Sequence, residues 1–71
     1  MSEVIRAEMV SSVAEVHVKI GDRVAAGAEL VLLESMKMEI PVLCEGAGTV
    51  ADVQVVPGDV IQEGDIIAIL G

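Results

Sequence analysis

The sequence predicts an all-β fold: a flattened β-barrel or sandwich of two short sheets, related by an internal pseudo-twofold axis. Three observations predict it. The chain repeats itself without a gap at an offset of 37 residues, apolar and polar side chains alternate along its extended stretches, and its apolar content is mostly Val, Ile and Leu with no Phe, Trp or Tyr. Branched aliphatic residues suit a pleated, half-buried surface better than a helix. At 71 residues and 54% hydrophobic, the chain is expected to form one domain, residues 1–71, around a thin core.

The repeat aligns Val13–Glu34 with Val50–Gly71. Identical pairs are Val13/Val50, Ala14/Ala51, Val16/Val53, Val18/Val55, Gly21/Gly58, Asp22/Asp59, Gly27/Gly64 and Leu33/Leu70; Glu15/Asp52, Val24/Ile61, Leu30/Ile67 and Leu32/Ile69 are conservative. Agreement this dense at one offset signals two copies of one supersecondary unit.

Each copy reads as strand, turn, strand. In the first, Ala14, Val16, Val18 and Ile20 alternate with Glu15, His17 and Lys19, which predicts a half-buried strand with the alanine set facing the core. In the second, Ala51, Val53 and Val55 alternate with Asp52 and Gln54. Gly21-Asp22 and Gly58-Asp59 are turn dipeptides whose glycines adopt positive φ cheaply, and Gly27 and Gly64 mark a second turn. Glu29–Glu34 and Ile66–Leu70 are apolar runs suited to strands covered on both sides.

One stretch pulls the other way. Residues Glu29–Ile40 are rich in helix formers, with Leu33, Met36 and Ile40 at helical spacing. The equivalent Ile66–Leu70 is β-branched and bounded by glycines, so the repeat predicts strand in both places. Lys37 then falls at a turn between two strands. Moved by one repeat, Lys37 lands just before Met1 or just past Gly71, so the Lys37 turn and the chain ends are predicted at opposite ends of the domain.

Composition excludes several functions. A net charge of -8 repels phosphate backbones, and the lack of aromatics removes base-stacking platforms, so nucleic acid is not expected as a partner. Apolar runs such as Leu30–Leu33 and Ile66–Leu70 are far too short to span a bilayer, so no membrane is expected either. Glu3, Arg6 and Glu8 interrupt the apolar stretch a secretory signal needs, which predicts a cytoplasmic protein. Met1 together with the complete second copy predicts a whole domain. Cys44 is the only cysteine, so it forms no intramolecular disulfide and reads as a small apolar filler. His17 shares its parity with Glu15 and Lys19 and reads as an exposed strand residue. One His and one Cys without paired spacing make no metal site. The acid pairs Asp22/Glu29 and Asp59/Asp65 read as solvated turn charges, so no catalytic residue is expected.

What remains is Lys37, one of four basic side chains, in the stretch Glu34-Ser35-Met36-Lys37-Met38-Glu39. A side-chain amine can serve as Schiff-base nucleophile, general base, phosphate binder or acceptor for an acyl group. The first two usually need a desolvated pocket with partner groups, which are sparse here, and no phosphate-binding glycine loop precedes Lys37. An acceptor needs only an exposed amine on a protruding turn, presented by a rigid scaffold. Once modified, the arm is a tether that raises the effective concentration of its cargo at successive sites.

Met36-Lys37-Met38 resembles the signature of biotinyl domains, Ala-Met-Lys-Met in the frequent context Glu-Ala-Met-Lys-Met-Glu, with Ser35 in place of the alanine. Gly48-Thr49-Val50 resembles the family's glycine-small-valine turn thirteen residues after the lysine, and the Gly-Asp...Gly pattern recurs in both halves as in family members. The resemblance covers essentially the whole chain. It departs at Cys44-Glu45, where members often carry Ala-Pro, and at Glu8-Met9-Val10-Ser11-Ser12, where they commonly have a Pro- and Gly-rich turn. Lipoyl domains are similar but typically carry Asp-Lys-Ala at the acceptor, so the two methionines favour biotin.

The resemblance, which extends to the short stand-alone biotinylated proteins, implies a biotin carboxyl carrier. A biotin protein ligase would join biotin covalently to Lys37 as N6-biotinyllysine, consuming ATP. A biotin carboxylase would then load a carboxyl group, and a carboxyltransferase would pass it to an acyl-CoA or a keto acid. Met36 and Met38 would orient the lysine and be read by these partners, with Glu34, Ser35 and Glu39 flanking that surface. Two other readings remain: a lipoyl-type acyl carrier, and an unmodified structural or binding module.

Overall fold

A computed structural model describes residues 2–71. Among them it contains eight strands and no helix: β1 Glu3–Arg6, β2 Ser11–Val16, β3 Arg23–Val24, β4 Glu29–Ser35, β5 Met38–Leu43, β6 Gly48–Val53, β7 Val60–Ile61 and β8 Ile66–Leu70. They form two antiparallel four-stranded sheets, ordered β1-β8-β6-β3 and β5-β4-β2-β7. The expected all-β fold of two short sheets is what the chain adopts, and the stretch 29–40 is strand, turn and strand rather than helix.

The repeat carries through to every element. Adding 37 to β2 and β3 gives the bounds of β6 and β7, β4 maps onto β8, and β5 maps back onto β1. One sheet is therefore the other with its strands renumbered. The two halves interlock: β3 pairs with β6 and β7 pairs with β2, so each short strand lies beside a strand of the opposite half. The clasp repeats in its hydrogen bonds. Gly21 N donates to Val50 O at 2.8 Å and Gly58 N to Val13 O at 2.9 Å, with both glycines at φ 96°. That conformation costs an L side chain energy and glycine almost none.

The core lies between the sheets, and its most buried large side chains, Leu30, Ile67, Val31 and Val50, come from both halves. Each contributes on the order of 2 kcal/mol by leaving water. Equivalent positions fill equivalent space: Val13 with Val50, Leu30 with Ile67, Leu33 with Leu70. Cys44 is a buried free thiol, as its reading as an apolar filler requires.

The strand parity expected from Ala14 holds at Val16, Val18, Val53 and Val55, which pack into the core, but not at Ala14 and Ala51 themselves. Ala14 and Ala51 are both exposed, while Val13 and Val50 are buried. The cause is a β-bulge in each copy: the register jumps from Val13↔Leu33 to Glu15↔Leu32, and from Val50↔Leu70 to Asp52↔Ile69. An inserted residue stands unpaired and re-aims its successors along the strand. Strand β2 also stops at Val16, and Ile20, expected in the core, is 64% exposed beside the Gly21 turn. His17 thus lies just outside the strand, its Nε2 2.7 Å from the Glu29 carboxylate. Gly48-Thr49-Val50, expected as a turn, opens strand β6; a side chain at Gly48 would come within 3.2 Å of Gly71 O. In the expected turn at Glu8–Ser12, residues 8–10 form the bend and Ser11 already begins β2.

Lys37 lies at the pole opposite Gly71 and the Glu3 that pairs with Leu70, while Met1 lies outside the described residues. Ser12, at the start of β2, pairs with Glu34 beside the Lys37 turn. The chain then runs along β2 to Gly21, which bonds Val50, next to the Thr49 that exchanges two hydrogen bonds with Gly71. Nine residues span at most about 30 Å, against a longest dimension of 32 Å.

Candidate functional site

Strands β4 and β5 form a hairpin closed by a two-residue turn. Ser35 pairs with Met38, leaving Met36 and Lys37 as the two turn residues. Both are left-handed, with φ 52° at Met36 and 64° at Lys37. Two positive φ angles in succession match the twist of the flanking strands, which is why such turns favour Asn-Gly. Here the two places are held by residues with Cβ atoms, at a cost of roughly 1–2 kcal/mol each. They are the only non-glycine residues with positive φ among those described. Local strain in a fold otherwise built on glycine at such positions marks this turn as a site shaped by something besides stability.

The turn presents its side chains outward. Met36 is 91% exposed, Met38 63%, and Lys37 is exposed between them. Neither methionine is therefore a core filler. The ion pairs found among the described residues join His17 to Glu29 and Glu15, and Lys19 to Asp22, leaving Lys37 without one. A groove of about 350 Å³ opens between β1 and β5, lined by Met9, Leu33 and Ile40 among others but not by Lys37. The amine thus stands on the exposed surface outside that groove, which suits an acceptor better than a Schiff-base or general-base lysine.

The base of the hairpin is fixed by two hydroxyls. Ser35 Oγ donates to Val10 O at 3.2 Å, and Ser12 Oγ donates to Glu34 O at 3.3 Å. Both tie the hairpin to the segment entering β2, so the mobile stem of Lys37 begins from a held backbone. Ser12 and Val10 were not legible as part of the site, because their role comes from a pairing across 22 and 25 residues. Glu34 and Glu39 are directly opposed and both exposed. Like charges facing across a ladder are destabilising, and this pair sets a negative field at the foot of the hairpin.

The structure thus brings together Glu34, Ser35, Met36, Lys37, Met38 and Glu39. Three other acids have local roles: Asp22, Asp59 and Asp65 each accept a hydrogen bond from a backbone N–H three residues earlier, at 2.9–3.0 Å. The Asp22 carboxyl is held below the usual aspartate range, first by that N–H of Lys19 and then by the Lys19 side chain. No group of three or more His, Cys, Asp or Glu side chains among the described residues is arranged to hold a metal ion.

Comparison with known proteins adds to this picture. A family model described as "Biotin-requiring enzyme", of the biotin/lipoyl group, matches residues 2–70. The chain is 60% identical over 70 residues to a biotinylated protein TB7.3 homolog of Mycobacterium leprae, covering 99% of each. It is 43% identical to a biotin/lipoyl attachment protein of Bacillus subtilis, over 84% of this chain and 82% of that one. It is also 41% identical to the mitochondrial propionyl-CoA carboxylase alpha chain of Homo sapiens, over 93% of this chain but 9% of that protein. Among solved structures, the Kluyveromyces lactis urea carboxylase superposes on all of this chain with a TM-score of 0.91 at 27% identity, over 6% of its own length. The lipoyl domain of the 2-oxoglutarate dehydrogenase complex of Azotobacter vinelandii matches with a TM-score of 0.78 at 25% identity, covering 94% of this chain and 95% of that one.

Proposed function

The chain belongs to the biotin/lipoyl attachment family, and from that premise we propose that it is a biotin carboxyl carrier whose acceptor is Lys37. The observation that carries the reading is the exposed, unpaired Lys37 at the apex of a left-handed two-residue turn, on a rigid pair of sheets, at the pole opposite Gly71. In a biotin protein ligase, Lys37 Nζ would attack the carboxyl carbon of biotin activated as an acyl-adenylate; the C–O bond to the adenylate would break, AMP would leave, Nζ would give up a proton, and an amide would remain. The bound biotin supplies a ring nitrogen able to carry a carboxyl group.

The chain's own residues bind, present and orient. Two hydroxyl anchors hold the hairpin, Met36 and Met38 flank the arm as apolar contacts for partners, and Glu34 and Glu39 offer charge to a basic docking face. On this reading the chain carries and does not catalyse: loading belongs to a biotin carboxylase and delivery to a carboxyltransferase. This division suits the carboxylases among its relatives, in which the matching segment is a small part of a longer chain. A cytoplasmic setting would supply the ligase with ATP and the carboxylase with ATP and bicarbonate, while the carboxyltransferase needs neither.

Intact mass after incubation with a biotin protein ligase, biotin and ATP tests the reading. The wild-type chain gains one biotinyl group and Lys37→Ala gains none. No gain, or a gain that survives Lys37→Ala, would overturn it. The lipoyl-domain match favours a second reading, an acyl carrier with lipoate on the same lysine. Incubation with a lipoyl ligase and lipoate separates the two.

A further inference from the structure

The pseudo-twofold axis supplies an internal comparison. The limbs at residues 19–28 and 56–65 share one backbone: Gly21 and Gly58 have the same φ, and Asp22 and Asp59 accept from Lys19 N and Val56 N at 3.0 Å each. Their surfaces differ. Lys19 becomes Val56, Ile20 becomes Pro57, Arg23 becomes Val60, Ala26 becomes Glu63 and Ala28 becomes Asp65. The first limb, with Lys19, Asp22 and Arg23, has a formal charge of +1; the second, with Asp59, Glu63 and Asp65, has -3. Since one backbone accommodates both sets, folding does not account for the difference.

The acidic, cation-free limb is the one at the Lys37 pole. Val60 pairs with Ser12, Ser12 with Glu34, and Glu34 with Glu39. Residues directly opposed in antiparallel strands share a face, so these four form one outward row. Val60 is 74% exposed and Val56 60%. Strands lie about 4.8 Å apart, which puts Val60 about 10 Å from Glu34 and about 14 Å from Glu39.

Chemistry decides which partner covers this row. Unmodified lysine reaches no further than its four-carbon stem. The enzyme that first modifies it must therefore close over the hairpin and rest on the ground beside it. An interface of about 800 Å² per partner is a disc of radius about 16 Å, wide enough to take in Val60. Later partners meet a longer arm and can stand further off.

We propose that the limb at residues 56–65, centred on Val60, is a second contact area for the biotin ligase that modifies Lys37. It receives an apolar side chain over Val60 and cationic side chains beside Glu63 and Glu34. The proposal rests on the reading of Lys37 as the biotin acceptor.

Swapping the limbs' surfaces tests it with residues the shared backbone already tolerates. Ligase-catalysed biotinylation is followed by mass, with melting curves confirming the fold. The pair Val56→Lys/Val60→Arg is expected to lower kcat/KM about tenfold or more, mainly through KM, as loss of a central contact does. The reverse pair, Lys19→Val/Arg23→Val, keeps the wild-type value. A Val56→Lys/Val60→Arg protein within about twofold of wild type, or an equal fall in the reverse pair, overturns the proposal alone. A wild-type chain that gains no biotin overturns the acceptor reading and this proposal with it.

Discussion

Cys44 occupies in one half of the molecule the place that Ala7 occupies in the other. Both are buried, and their carbonyls accept hydrogen bonds of 2.9 Å from Gly27 and Gly64, the glycines of equivalent turns. The fold has thus already tried alanine at this place. Cys44→Ala is expected to cost about 1 kcal/mol or less, the loss of one small buried group. Leu30→Ala, at a fully buried position facing both halves, is expected to cost about 2–5 kcal/mol. Urea unfolding of the two variants checks the contrast; a Cys44→Ala cost as large as that of Leu30→Ala would show that the halves are not interchangeable here.

The Met36-Lys37 turn predicts a trade of stability against function. Met36→Asn/Lys37→Gly supplies the residues that two successive positive φ angles favour. The double variant should be more stable than wild type by about 1–2 kcal/mol, while accepting no biotin. Thermal unfolding and intact mass read the two halves of this prediction. A variant no more stable than wild type would remove strain as an account of the turn.

How much of the fold and the site was legible in the sequence depends on whether a feature repeats. The eight identical pairs at an offset of 37 foretold the duplicated strands, the glycine turns and the opposite placement of Lys37 and Gly71. The bulges at Ala14 and Ala51 were not legible, although they also repeat, because an inserted residue leaves no mark in composition and the residues beyond it, Val16 and Val53 onward, still alternate as expected. The exchange of β3 and β7 between halves was hidden for another reason. A repeat says which segments are alike, not whether each pairs within its own copy or across. At the site, the resemblance picked out Lys37 and its neighbours, but the left-handed turn was hidden because neither Met nor Lys signals positive φ. The anchoring by Ser12 and Ser35 depends on backbone carbonyls, which sequence does not individualise.

Asp22 should make stability depend on acid pH. Its carboxyl is held below the usual range, chiefly by the Lys19 backbone N–H. A group with a lowered folded-state pKa stabilises the fold above its unfolded value, near 3.9 for aspartate, and loses that contribution as pH falls through the folded value. Asp22→Asn is therefore expected to be less stable than wild type at neutral pH, with the gap narrowing below about pH 4. Urea midpoints from pH 2 to 7 measure it. A gap that stays constant across that range would show that the charge on Asp22 contributes nothing to the turn.

The opposed carboxylates Glu34 and Glu39 make the sharpest separation between folding and docking. As like charges facing across a ladder they cost stability, so Glu34→Gln or Glu39→Gln should raise it by about 0.2–1 kcal/mol. As a negative field at the foot of the Lys37 hairpin, they should speed encounter with a basic partner face, an effect screened over about 10 Å at 0.1 M salt. Biotinylation of the wild-type chain should slow as salt rises, while the Glu34→Gln/Glu39→Gln double variant should start slower and depend less on salt. The two effects have opposite signs, so a general loss of structure cannot imitate the pair. A double variant that is both less stable and equally salt-sensitive would show that these carboxylates serve the fold and not the partner.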